Sequence, residues 1–243
     1  MAKISESSFG NKLAKGKQIL DFIQNLKDYS APTDILKKEY LNSLIQSIEE
    51  NNSKIAKAGD LLTQARATRI DYFRGETGAK KRCAMIRDFV GALQGGKTSP
   101  AYLSIQKELQ KMNNYKKPSK KEEPIENTEN NSKRSISSAE TSFGSTLQSL
   151  KNVLEIIKNI PNYTPQNPLI TVENFTKFIA DIESCNQTIN TQLYIYNESI
   201  SKRQELYEGV NGLRSIIQSI KLYIAGSYGK DSIEYKEIVK IKY

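Results

Sequence analysis

Sliding the chain against itself by 134 residues, without a gap, brings 20 of the 89 positions from Ser5 to Leu93 onto an identical residue between Ala139 and Ser227. Ordinary residue frequencies would give about five. The matches include Ser8, Phe9, Gly10 and Leu13 with Ser142, Phe143, Gly144 and Leu147, and Tyr29 with Tyr163. They continue through Asn52/Asn186, Ile55/Ile189, Arg69/Arg203, Gly75/Gly209, Gly78/Gly212 and Ile86/Ile220. A fixed offset of this length marks two copies of one sequence unit, each long enough for a core of its own. The expected domains are residues 1–112, a linker at 113–135, and residues 136–243.

Within each copy the apolar period is helical. A first helix from Ser7 or Ser8, both good N-caps, presents Phe9, Leu13, Ile19 or Leu20, Ile23 and Leu26; its twin presents Phe143, Leu147, Leu150, Leu154, Ile157 and Ile160. Prolines interrupt the pattern at Tyr29–Asp34 and Asn162–Pro168, where Tyr29 and Tyr163 are expected to pack the corner. About forty proline-free residues follow. Their seam steps by three and four through Leu41, Leu44, Ile48, Asn51, Ile55, Ala58, Leu62, Ala65, Arg69 and Tyr72. In the second copy the seam runs from Phe175 through Ile182, Cys185, Ile189, Tyr196 and Ser199 to Arg203 and Leu206. Such a stripe predicts one long helix with helical neighbours along most of its length. Glycine turns at 75–78 and 209–212 lead to a third helix, and Ser99-Pro100 or Asp231-Ser232 to a short fourth. The expected fold is all-α: two homologous antiparallel four-helix bundles joined by a flexible linker.

That linker, Asn113 to Ser135, carries Pro118, Pro124 and scarcely an apolar side chain after Tyr115, too little to offset the entropy of ordering it. Its Lys116-Lys117 and Lys120-Lys121 pairs read as solvated charge.

The formal net charge of +9 is unevenly spread. Residues 1–112 carry 19 Lys/Arg against 12 Asp/Glu, residues 113–135 carry 6 against 4, and residues 136–243 carry 11 of each. Copies of one fold that differ by seven charges have diverged in what their surfaces meet. The surplus centres on Arg66, Arg74, Lys80, Lys81, Arg82 and Arg87. The twins of Arg74, Lys81 and Arg82 are Glu208, Ser215 and Ile216, so the fold does not demand the charge. These six residues are the candidate surface for an anion, nucleic acid or other polyanion.

Chemistry is otherwise sparse. Histidine is absent, which removes the commonest general base and metal ligand. Cys83 and Cys185 are not twins, fit no metal spacing and fall on apolar helical faces, so both read as small core residues. Gly91-Ala-Leu-Gln-Gly-Gly-Lys-Thr98 satisfies the G-x-x-x-x-G-K-T pattern, but phosphate binding needs a strand before the loop and a helix immediately after it. Here a helical pattern precedes it and Ser99-Pro100 follows, so a helix stop at Gly95 or Gly96 is the plainer reading. Arg69 and Arg203, with Asn52 and Asn186, form a polar seam read as structural. For the arginines the structural role is either snorkelling to solvent or pairing with internal glutamates such as Glu39/Glu173 or Glu49/Glu183; for the asparagines the expected role is fixing helix register. No catalytic residue, cofactor site or metal site is expected. No apolar run approaches the roughly 20 residues of a membrane span, and the start of the chain lacks the apolar stretch of a secretory signal, so a cytoplasmic location is expected.

In layout the chain resembles tandem-duplicated helical-bundle proteins of Bacteroidetes-type bacteria, in which a Ser-Phe-Gly start, a helix, a proline turn and a long Arg-bearing helix recur in each half. Ser8-Phe9-Gly10, Ser142-Phe143-Gly144, Arg69 and Arg203 carry the likeness. It implies a bacterial origin and a pair of antiparallel bundles, and it supplies no activity. The functional expectation is a non-enzymatic interaction or scaffold protein that binds an unknown protein partner. The alternatives are a polyanion binder acting through the first copy and, more remotely, phosphate binding at Gly91–Thr98.

Overall fold

The structure is a computed structural model that describes residues 6–113 and 138–243. Among the described residues every regular element is helical and there is no strand. Eight α-helices follow one another as α1 (Glu6–Asn25), α2 (Lys38–Arg74), α3 (Ala79–Leu93), α4 (Pro100–Asn113), α5 (Ser138–Lys158), α6 (Val172–Glu208), α7 (Leu213–Tyr228) and α8 (Ile233–Ile238). Short 3-10 turns at Asp34–Leu36 and Pro168–Ile170 precede the two long helices. Four helices per copy, and continuity of α2 through Asn51-Asn52, agree with the periodicity. Most of the expected linker lies outside the described residues, as do its lysine pairs.

The two sequence copies are not the two compact units. Unit 1 gathers residues 1–62 with 190–243, and unit 2 gathers residues 63–189. Unit 1 therefore contains α1, α2 up to Leu62, α6 from Asn190, α7 and α8. The rest of α2, then α3, α4, α5 and α6 up to Ile189, make unit 2. Each unit joins the front half of one copy to the back half of the other. The expected domains 1–112 and 136–243 are sequence repeats whose halves are exchanged. Residues 113–135, expected to join two domains, connect α4 and α5 of a single unit.

Helix length gives the physical reason. A 37-residue α2 presents its seam along its whole length, whereas the 20-residue α1 and the 15-residue α3 of the same copy each cover about half. The other long helix supplies the missing cover. In unit 1, Asn51 Nδ2 donates to the Ser199 carbonyl at 2.9 Å. In unit 2, the Cys185 thiol donates to the Ala65 carbonyl at 3.2 Å. Asn51/Cys185 and Ala65/Ser199 are twins, so one cross-helix device recurs with an amide in one unit and a thiol in the other. In both units the α2 and α6 segments run antiparallel.

The cores follow the same exchange. In unit 1, Ile19, Ile23, Leu41 and Ile48 close on Tyr207, Leu213, Ile217, Ile220 and Ile224. In unit 2, Leu150, Ile157, Phe175 and Ile182 close on Ala79, Cys83, Ile86, Val90 and Ile105. Leu93, the last residue of α3, is 40% exposed. The corners match as expected: Tyr29 Oη donates to the Leu36 carbonyl at 2.7 Å and Tyr163 Oη to the Ile170 carbonyl at 2.8 Å. Tyr29 meets Tyr223 edge-on, and Tyr163 meets Phe89, the twin of Tyr223, in the same way. Gly75 and Gly209 end the long helices where a Cβ would sit 2.5 Å from the Asp71 or Glu205 carbonyl oxygen, so no larger residue fits.

Ile48 and its twin Ile182 are both fully buried, one in each unit. Ile48→Ala and Ile182→Ala are each expected to cost about 2–5 kcal/mol in urea unfolding, from lost transfer energy plus the cavity left behind.

Candidate functional site

The six cations singled out by the sequence all belong to unit 2, but the fold divides them into two groups. Arg66 and Arg74 stand on the outer face of α2, two turns or about 12 Å apart along the axis, with the half-exposed Ile70 between them. Lys80 and Lys81 lie exposed in the first turn of α3. A positive charge at a helix N-terminus opposes the helix dipole, typically by about 0.3–1 kcal/mol. These two lysines therefore owe nothing to the stability of α3, which has no acidic residue in that turn to offset them.

Arg82 and Arg87 do structural work instead. Arg82 Nε donates to the Thr77 carbonyl at 2.7 Å and Nη1 to the Leu169 carbonyl at 2.9 Å, while its guanidinium lies 4.0 Å from the Phe178 ring centroid. It straps the glycine turn to the 3-10 turn before α6. Burial, opposed by the Asp181 carboxylate, pulls its pKa below the ordinary arginine value. Arg87 pairs with Asp88 at 2.6 Å and donates to Gln106 Oε1 at 2.8 Å, over the Tyr102 ring. Of the six, the exposed cations are thus Arg66, Arg74, Lys80 and Lys81.

The paired arginines of the seam account for the phenylalanine of each Ser-Phe-Gly repeat. Arg203 lies 4.4 Å from the Phe9 ring centroid in unit 1, and Arg69 lies 4.3 Å from the Phe143 centroid in unit 2. Each phenylalanine comes from one copy and its arginine from the other. The face of an aromatic ring attracts a cation that burial has stripped of water. The expected glutamate partners are engaged elsewhere, Glu49 with Lys17 at 2.5 Å and Glu183 with Lys151 at 2.6 Å. Asn52 donates weakly to Tyr207 Oη at 3.3 Å, while register is held by its neighbour Asn51. The buried Oδ1 atoms of Asn52 and Asn186 accept no hydrogen bond among the described residues.

A cleft of about 440 Å³ in unit 1 is lined by Phe9, Asn52, Ile55, Tyr196, Arg203 and Asp60. It brings a guanidinium, an amide and a carboxylate to an apolar wall, a set suited to binding rather than to nucleophilic attack.

A residue missed in the sequence is Glu108, 7% exposed on α4 and paired with Lys111 at 2.6 Å. With Ser149 and Asn152 of α5 it lines a recess of about 260 Å³. Burial pushes its carboxyl up, but Lys111, Ser149 and Asn152 outweigh that and leave it below the ordinary value. Its signal was its place three residues after Ile105 and four before Met112, on the apolar face itself.

Gly91–Thr98 begins in the last turn of α3, so a helix and not a strand leads into it. The Gly96 amide donates to the Gly91 carbonyl at 2.7 Å, and Gly95 adopts φ +82°, the helix stop that the glycines predicted. Cys83 and Cys185 are buried free thiols, and burial pushes Cys83 up to about 12. Among the described residues no group of three or more His, Cys, Asp and Glu could hold a metal ion, and no helix is long and apolar enough to cross a membrane.

Lys80→Ala/Lys81→Ala is expected to leave urea stability within about 0.5 kcal/mol, whereas Arg82→Ala should cost about 1.5–3 kcal/mol through two lost charge-assisted hydrogen bonds. At pH 8 a thiol reagent should label neither cysteine of the native protein within minutes and both in urea, since a buried thiol with a raised pKa offers almost no thiolate. No protein-family model, no curated protein and no solved structure matches the chain.

Proposed function

We propose that the chain is a non-enzymatic helical binding protein whose second copy docks a protein partner. The observation that carries this reading is a set of three twin positions. Tyr194, Val210 and Leu222 are 69%, 90% and 73% exposed, and they stand where the first copy has Asp60, Glu76 and Asp88, also exposed. A surface position that accepts a carboxylate in one copy does not need an apolar side chain for folding. Three acidic positions replaced by large apolar ones point to a surface that meets something apolar.

A second reading, polyanion binding, is favoured by the four exposed cations. Residues 63–112 carry ten Lys/Arg against four Asp/Glu, whereas residues 136–189 of the same unit carry three against five. The basic charge of unit 2 therefore comes from its first-copy half, and Lys80 and Lys81 sit where helix stability does not want them.

The two readings part in a pull-down from nuclease-treated extract of the native cell at low and high salt. Tyr194→Asp/Val210→Glu/Leu222→Asp installs the first copy's residues and should leave the thermal midpoint nearly unchanged. Recovery of a specific protein at high salt should fall about tenfold, as expected when an interface anchor is removed. The quadruple alanine variant at Arg66, Arg74, Lys80 and Lys81 should leave that recovery intact. Binding that survives the first variant, fails in the second and vanishes with salt or nuclease replaces the leading reading with the second.

A further inference from the structure

The exchanged halves raise the question of what each copy recognises. A copy whose front half completes the other's back half could equally pair with a copy of itself, since the twins reproduce the same contacts. The Arg–Phe stacks and the cross-helix hydrogen bonds to backbone carbonyls are indifferent to the choice. Two other contacts are not.

The first is steric. In unit 1, Gly16 of α1 lies under Leu213 of α7, so close that a Cβ on the glycine would sit 3.0 Å from Leu213 Cδ1. In unit 2 the twin positions hold Leu150 and Ala79, both fully buried in one core. The large and small partners have changed places. Pairing the first copy with itself would set Gly16 against Ala79 and leave a cavity. Pairing the second with itself would set Leu150 against Leu213 and overfill the site.

The second is electrostatic. In unit 1, Lys12 bonds Glu208, which also accepts from Arg214 Nη1 at 3.2 Å. The twin positions hold Thr146, Arg74 and Lys80. A first copy paired with itself would set Lys12 against Arg74, with Lys80 beside it: three cations where unit 1 has a carboxylate between two.

We propose that the two copies are coded for each other: the surface that each front half presents fits the back half of the other copy and rejects that of its own, through Gly16/Leu213 against Leu150/Ala79 and through Lys12/Glu208. The partner recognised by each copy is the other copy of this chain. The code specifies which halves join, independently of the external partner.

The test uses the full chain with a protease site inserted within residues 114–137. After cutting, the two fragments should remain one 1:1 complex by native mass spectrometry. After unfolding in urea and refolding at equal concentrations, the 1:1 species should exceed either self-pair at least tenfold. Fragments that separate on cutting, without denaturant, overturn the exchange itself.

The code is tested by Lys12→Thr/Gly16→Leu in the same cut chain, which gives the first copy's front half the second copy's residues. Refolding should then shift toward first-copy self-pairs by at least tenfold, and an unchanged ratio overturns the code. In the uncut chain, Gly16→Leu and Leu213→Ala should each lower the thermal midpoint, and Gly16→Leu/Leu213→Ala should recover most of the loss by recreating the Leu150/Ala79 arrangement. A double variant no better than the worse single overturns the steric half.

Discussion

The pairing of α2 with α6 is the constraint on which the rest of the structure depends. Each is 37 residues long, and no other helix of its own copy is long enough to cover its seam. A heptad-like stripe fixes which face is buried, but it tolerates slips of a heptad at modest cost. The slip is prevented by polar groups. Asn51 reaches the Ser199 carbonyl and Cys185 reaches the Ala65 carbonyl, and a helix displaced by one turn would leave each donor buried opposite a different part of the partner backbone. An unmade buried hydrogen bond costs about 1–3 kcal/mol. With register held at two twin points, the phenylalanines of α1 and α5 arrive under the arginines of α6 and α2.

The all-helical fold was legible in the sequence because period and punctuation agree. The seam from Leu41 to Tyr72 is in phase through Asn51-Asn52, and the glycines at 75, 78, 209 and 212 stop and restart the chain where the structure does. What the sequence left hidden is which half completes which. The self-similarity that revealed the copies also concealed their exchange, since twin residues present nearly the same face to either partner. Only a length mismatch, a long helix beside two short ones, hinted that a second long helix had to lie alongside. The Gly16/Leu213 and Leu150/Ala79 substitutions are invisible as a pair until the structure sets them opposite one another.

The basic surface shows the same limit from another side. Six cations stand close in sequence, and charge alone cannot say which are exposed. Arg82 has Ile216 as its twin, a core residue 1% exposed, so the position faces inward in both copies and a long cation there must find internal acceptors. It finds the Thr77 and Leu169 carbonyls and the Phe178 ring. The twin comparison that marked Arg82 as unneeded by the fold thus pointed the wrong way: one fold can fill an inward position with isoleucine in one copy and with a hydrogen-bonded arginine in the other.

Divergence between the copies therefore has two meanings, separated by burial. Where twins differ at buried positions, as at Gly16/Leu150 and Arg82/Ile216, the change is met by groups of the same unit, Leu213 over Gly16 and the Thr77 and Leu169 carbonyls around Arg82. Where twins differ at exposed positions, the core does not answer, although Asp88 pairs with its chain neighbour Arg87 at the surface. Asp60, Glu76 and Asp88 became Tyr194, Val210 and Leu222 at three separate exposed positions, and core packing favours neither member of any pair. The exchange of halves adds a physical consequence. Tyr194, Val210 and Leu222 belong to unit 1 with the front half of the first copy, whereas Arg66, Arg74, Lys80 and Lys81 belong to unit 2. The apolar and the basic surfaces are thus carried by different compact units, so substitutions on one can be made without disturbing the core that supports the other.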